Sequence, residues 1–215
     1  MYFLRFAFLI SSVLFLSAGC QTSSLPSPKP IADAQVSLPP AHLDYPPAGT
    51  RITYERRNSD GTSSTWDGIV TNGDFRELTS LRTGNVRSLL PGCLLHCNQS
   101  THPITLDRYK ELFPLKVGNK ALFVRQRADG SAPWRHQIEV TGMERIDSEI
   151  GVVDVFVIKS DIRGISGESV GFWGQATNYW SPDHKATIRE INTGRQGTRQ
   201  DMFLMKFENE LISQK

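Results

Sequence analysis

The chain has 215 residues, with 24 Lys and Arg against 22 Asp and Glu and a formal net charge of +2. That near-balance, without any basic run, excludes a partner held by a phosphate-binding field, so no nucleic acid is expected. The length suits one domain with a sizeable core.

The first element is a targeting segment. Arg5 supplies a short positive region, Phe6 to Leu16 form an apolar run broken only by Ser11 and Ser12, and the small residues Ser17, Ala18 and Gly19 follow. This is the order of a secretory signal peptide spanning residues 1–19. The apolar run has 11 residues, against the roughly 20 that a bilayer-spanning helix needs. Its end, "LSAGC", resembles the lipobox of bacterial lipoproteins. The resemblance implies cleavage before Cys20 and a diacylglycerol on its thiol. Acyl chains of that kind anchor firmly, since each buried CH₂ is worth about 0.8 kcal/mol. Ser17 stands where the family most often has Leu. Gln21, in place of the Asp that retains such proteins at the inner membrane, implies the periplasmic side of the outer membrane in a Gram-negative host.

Removing residues 1–19 takes away one charge and leaves 196 residues with a balance of +1. Residues 21–47 hold seven of the twelve prolines. Such a stretch favours extended polyproline-like backbone and buries little. Residues 20–47 therefore read as a lipidated cysteine and a tether, and residues 48–215 as a β-rich globular domain. The alternative for "LDYPPAG" is packing along the domain, which would give Leu43 and Tyr45 somewhere to go.

From Gly49 the texture is strand and turn. "TRITYERR" (50–57) reaches the turn signal "NSDG", "TSSTWDGIV" (62–70) reaches "TNGD", and "FRELTSLR" (75–82) follows. "TLDRYKELF" (105–113) has helical spacing, with Leu106, Tyr109 and Phe113 on one side, Thr105 as cap and Pro114 as stop. Then come "NKALFVRQRA" (119–128), "WRHQIEVTGMERI" (134–146), "VVDVFVIKSDI" (152–162), "ESVGFWGQATNYW" (168–180), "KATIREIN" (185–192) and "TRQDMFLMKFE" (198–208). Turn signals recur about every ten residues, with no βαβ rhythm and one short helix. The fold class is mainly β: a single antiparallel meander forming a sandwich or barrel-like sheet, with one helix near 105–113.

The stretch from "LFPLKVGNK" to the charged last strands, about residues 112–208, resembles uncharacterised periplasmic and lipoprotein domains of bacteria. Tyr179, Trp180, Pro182 and Asp183 match their Tyr-Trp-x-Pro-Asp/Glu turn. The resemblance implies a β-rich fold and brings no catalytic residues with it.

"PGCLLHCNQSTH" (91–102) raises a question of chemistry. With Cys20 committed to lipid, Cys93 and Cys97 have each other in an oxidising space, which favours a disulfide. On a strand they would stand about 13 Å apart; on a helical turn, about 6 Å. A bridge thus requires "CLLHC" to be a turn. The alternative is a Zn²⁺ or copper site from Cys93, His96, Cys97 and His102, although C-x₂-C spacing is absent.

No phosphate loop, H-E-x-x-H or nucleophile elbow occurs, and "GISGESVG" (164–171) reads as a loop. No cofactor is expected. Trp173, Tyr179 and Trp180 are a candidate stacking platform for glycans, although alternation puts Trp173 and Tyr179 on one strand face and Trp180 on the other. The sequence thus points to a lipid-anchored envelope protein that binds or scaffolds and is not an enzyme. Its partners are the membrane, through the anchor, and envelope proteins or glycans. A metal-handling lipoprotein and an envelope enzyme are the alternatives.

Overall fold

The computed structural model describes Ile31 and residues 36–71, 77–94, 97, 101, 103–125, 133–167, 170–194 and 198–208. Cys20 and the signal peptide lie outside the described residues, as do His96 and His102. Among the described residues no helix is long and apolar enough to cross a membrane.

The predicted hairpins form. β1 (Arg51–Asn58) pairs with β2 (Ser63–Val70), with Tyr54 opposite Trp66. Their connection closes because Gly61 takes a φ of +83°, a region open to glycine at no steric cost. Asp60 accepts from the Thr62 amide at 2.9 Å. β3 (Glu77–Ser80) and the three-residue β4 (Val86–Ser88) extend this half. The second half is a meander of β5 (Lys120–Arg125), β6 (Trp134–Ser148), β7 (Gly151–Gly164), β8 (Trp173–Ser181), β9 (Ala186–Gly194) and β10 (Arg199–Glu208). β10 returns antiparallel to β1 and joins the halves into one sheet of order β4-β3-β2-β1-β10-β9-β8-β7-β6-β5. The outer strands β4 and β5 do not pair, so the sheet is open and does not close into a barrel.

It is nevertheless strongly curled. β7 and β1 are four places apart, which in a flat sheet means about 19 Å. Yet Glu149, at the tip of the β6–β7 hairpin, stands 3.7 Å from Arg57 of β1. The long hairpin therefore bends over the sheet. A register shift between Val140 and Gly142 supplies the bend, as bulges do by increasing local twist. Two cores follow. One gathers Ile146, Val153, Val155 and Val157 of the bent hairpin with Ile52, Tyr54, Met202 and Leu204. The other sits under the helix and contains Phe123, Ile138, Ile158 and Trp180.

The helix α1 runs Pro103–Lys110, two residues earlier at its start than the pattern predicted. Proline opens a helix well because the first N–H has no intrahelical partner. Thr105 is consequently inside the helix and buried, not its cap. Phe113 donates to the Lys110 carbonyl at 3.0 Å, a tightened final turn that keeps Leu112 and Phe113 on the packed side with Leu106 and Tyr109.

The segment before β1 packs along the domain, the alternative that the sequence offered for "LDYPPAG". Leu38, Ala41, Leu43 and Tyr45 pack against the helix-side core. Ala41 and Leu115 exchange two backbone hydrogen bonds, at 3.1 and 2.7 Å. This proline-rich stretch, placed by the sequence in the tether before residue 48, thus carries Leu38, Ala41, Leu43 and Tyr45 onto the domain and lies along it as a strap.

Between β8 and β9 the chain turns through Ser181 to Lys185. His184 meets the Phe207 ring edge-on at 5.3 Å, and partial burial lowers its pKa against an opposing pull from Asp183. The unfolded chain then binds a proton that the folded chain resists, so stability falls as pH drops below the ordinary value of 6.5. Urea midpoints at about pH 7.5 and pH 5.5, which bracket the ordinary histidine pKa, should differ less for His184→Gln than for the wild type.

Candidate functional site

The site is built from strand alternation. Along β6 the side chains of Arg135, Gln137, Glu139 and Thr141 take one face, while His136, Ile138 and Val140 are buried on the other. On β7 the same alternation puts Lys159, Asp161 and Arg163 opposite Ile158, Ser160 and Ile162. On β8 it puts Trp173, Gln175 and Thr177 opposite Gly174, Ala176 and Asn178. Register then orders these side chains into rows. Arg135, Arg163 and Trp173 lie side by side; Gln137, Asp161 and Gln175 form the next row; Glu139, Lys159 and Thr177 form the third. Leu122 and Val124 of β5 flank the rows and are exposed. Above Thr141 the hairpin bends over the same sheet, so this face is concave: a cleft of about 670 Å³ lined by these polar side chains.

The charges in the cleft are unevenly matched. Arg163 donates to both Asp161 oxygens, at 2.8 and 3.3 Å, and these hydrogen bonds raise the guanidinium pKa. Glu139 is drawn outward to Lys120 of β5, 3.1 Å away. Among the described residues Arg135 and Lys159 make no ion pair. Arg135 faces Arg163 directly across the strands; Asp161 offsets the charge of Arg163, so Arg135 and Lys159 are the cations of the cleft that no carboxylate offsets among the described residues.

A second polar group lies on the opposite, covered face. Asn178 donates to Glu190 at 3.0 Å and to Thr187 at 3.1 Å, and Asn192 donates to the other Glu190 oxygen at 3.3 Å. The Tyr54 hydroxyl donates to the Thr187 carbonyl at 2.9 Å, and burial pushes its pKa well up. Glu190 is fully buried, so this network fixes strands and offers no surface. Near the helix the Tyr109 hydroxyl and His136 Nδ1 lie 3.2 Å apart, again enclosed. Among the described residues no three His, Cys, Asp or Glu side chains converge as metal ligands would.

The three aromatics do not form a platform. Trp180 is buried in the helix-side core and Tyr179 in the hairpin core. Both are taken up by packing because the sheet is covered on both faces at that level. Trp173 is 38% exposed and stands at the end of the cleft rows. Cys93 and Cys97 are bonded to each other in a turn, with Cα atoms 5.0 Å apart and a Cys97 amide to Cys93 carbonyl hydrogen bond of 2.7 Å. The bridge engages both sulfurs of the candidate metal quartet, and its other two members, His96 and His102, lie outside the described residues. Both cysteines are fully buried in the helix-side core, so replacing both with Ser should cost roughly 2–3 kcal/mol, most of it local. The denatured, unreduced chain should show no free thiol at these positions; two free thiols would contradict the bridge.

The cleft residues escape a sequence search because each reads as an ordinary solvent-side position. The signal that finds them is the recurrence of polar alternation in three consecutive strands.

No family model and no curated protein matches the chain. Solved structures are similar in fold: a presumed lipoprotein from Parabacteroides distasonis ATCC 8503, with 13% identity over 80% of this chain and 100% of that one at a TM-score of 0.48; a presumed exported protein with a YmcC-like fold from Bacteroides fragilis NCTC 9343, with 11% identity over 79% of this chain and 100% of that one at 0.46; and the hypothetical lipoprotein YmcC from Escherichia coli K12, with 13% identity over 72% of this chain and 83% of that one at 0.46.

Proposed function

We propose that this chain is an exported, lipid-anchored module of the cell envelope that binds a hydrophilic ligand in the cleft on β6, β7 and β8. The observation that carries the binding role is the cleft itself: nine or so polar side chains held in register on interior strands, a rigid base of the kind that orients recognition groups well. The reading favours a binder over an envelope enzyme because the titratable groups of the cleft stand at the surface, without the burial that tunes an acid or base. The anchoring role rests on the signal-like N-terminus ending in Cys20.

Each half has its own test. Expressed in a Gram-negative host, the wild type should yield an N-terminal peptide beginning at Cys20 with a diacylglycerol mass, and Cys20→Ser should retain its signal. An unmodified Cys20 rejects the anchor. For the binding role, hydrogen exchange on the processed chain in detergent micelles is followed with and without neutral and acidic oligosaccharides. Protection should appear in β6, β7 and β8; protection confined to other strands, or none, rejects the cleft as the site.

A further inference from the structure

We infer that the cleft recognises an acidic glycan in which negative charges are spaced along an otherwise neutral, hydroxyl-rich chain; this rests on the cleft being the binding site. The spacing comes from register. Arg135 and Lys159 lie one strand and four residues apart, about 14 Å between Cα atoms, and both are exposed and make no ion pair among the described residues. Between them lie the amides of Gln137 and Gln175 and the carboxylate of Asp161. A guanidinium and an ammonium held in this way seek anionic oxygens. Amides, which both donate and accept, and carboxylates, which only accept, suit hydroxyl groups. At the Arg135 end, Trp173 offers a partly exposed ring, on which the face of a sugar can lie.

Other anionic polymers fit less well. A continuous phosphate backbone carries a charge at every step, whereas only Arg135 and Lys159 of the cleft cations are left without a carboxylate among the described residues, Arg163 being taken up by Asp161. An acidic peptide gains most by adding a strand to a sheet edge, but β6, β7 and β8 are each paired on both sides.

The test measures binding to the processed chain in micelles by calorimetry. The probes are an oligosaccharide of alternating glucuronic acid and N-acetylglucosamine, a neutral N-acetylglucosamine oligomer of equal length, poly-glutamate and single-stranded oligothymidine. The acidic oligosaccharide should bind tightest, should weaken as salt rises, and should lose about tenfold or more on Arg135→Ala or Lys159→Ala, the loss of one charge-assisted contact. Both substitutions are at exposed positions, and unchanged melting would show that the fold is kept. Preference for the neutral oligomer overturns the anionic inference while leaving the binding module intact. Equal binding of poly-glutamate or oligothymidine overturns the glycan assignment. No binding by any probe rejects both readings.

Discussion

Asp201→Ala should cost the domain about 3–5 kcal/mol, read as a shift in the urea unfolding midpoint. Asp201 is fully buried on β10. It accepts from Arg189 of β9 at 2.6 Å and from Arg199 at 2.8 and 2.9 Å. Arg189, itself 7% exposed, also lies over the Phe203 ring at 4.5 Å, with Arg57 against the same ring at 4.4 Å. Removing the carboxylate leaves a buried guanidinium without its closest counter-charge, and that desolvation cost dominates. The companion variant Arg189→Leu/Asp201→Leu should recover most of the loss, because replacing both ions by apolar groups removes the desolvation penalty along with the attraction. If the double variant is as unstable as the single one, the cluster stabilises by packing and not by charge.

Trp180→Ala should be comparably damaging, at about 3–5 kcal/mol, or on the order of a 10 °C fall in melting temperature for a domain of this size. Its indole is 1% exposed, meets Phe113 edge-on at 6.0 Å and belongs to the core between helix and sheet. The cavity would open beneath the helix, so Trp180→Phe should cost much less. Neither change should alter the cleft residues, which face the other way; loss of cleft binding in a still-folded Trp180→Phe would show that the two faces are coupled.

Much of the fold was legible. The turn signals placed β1, β2, β6, β7, β9 and β10 to within a residue or two, because an Asx-Gly or Gly turn between alternating runs leaves the chain few other choices. The start of β8 was read too early, since "GFW" looks like strand; Gly171, with φ of +80°, makes it a turn. The three-residue β4 carries too little pattern to be seen. The curl was not legible either: it depends on shifts at Thr53/Tyr54, Val140/Gly142 and Tyr179/Trp180, which leave no mark in composition. The same holds for the buried ions. In β9, Ile188, Arg189 and Glu190 are all buried in succession, so the rule that charges mark the wet face fails where the hairpin bends over a sheet that already carries cover on its other side. The cleft was missed for the converse reason. Its residues obey the rule, and only the pairing of three strands shows that they converge.

The strap from Leu38 to Pro47 lies on the helix-bearing side, whereas the cleft opens on the reverse. Further toward the N-terminus, Leu38 donates its amide to the Met143 sulfur at 3.2 Å and Ile31 donates to the Arg145 carbonyl at 3.0 Å, both on the hairpin that bends over the cleft face. The leading segment is thus buckled to both sides of the sheet, and tension along it would be felt by the helix-side core and by the overhanging hairpin together.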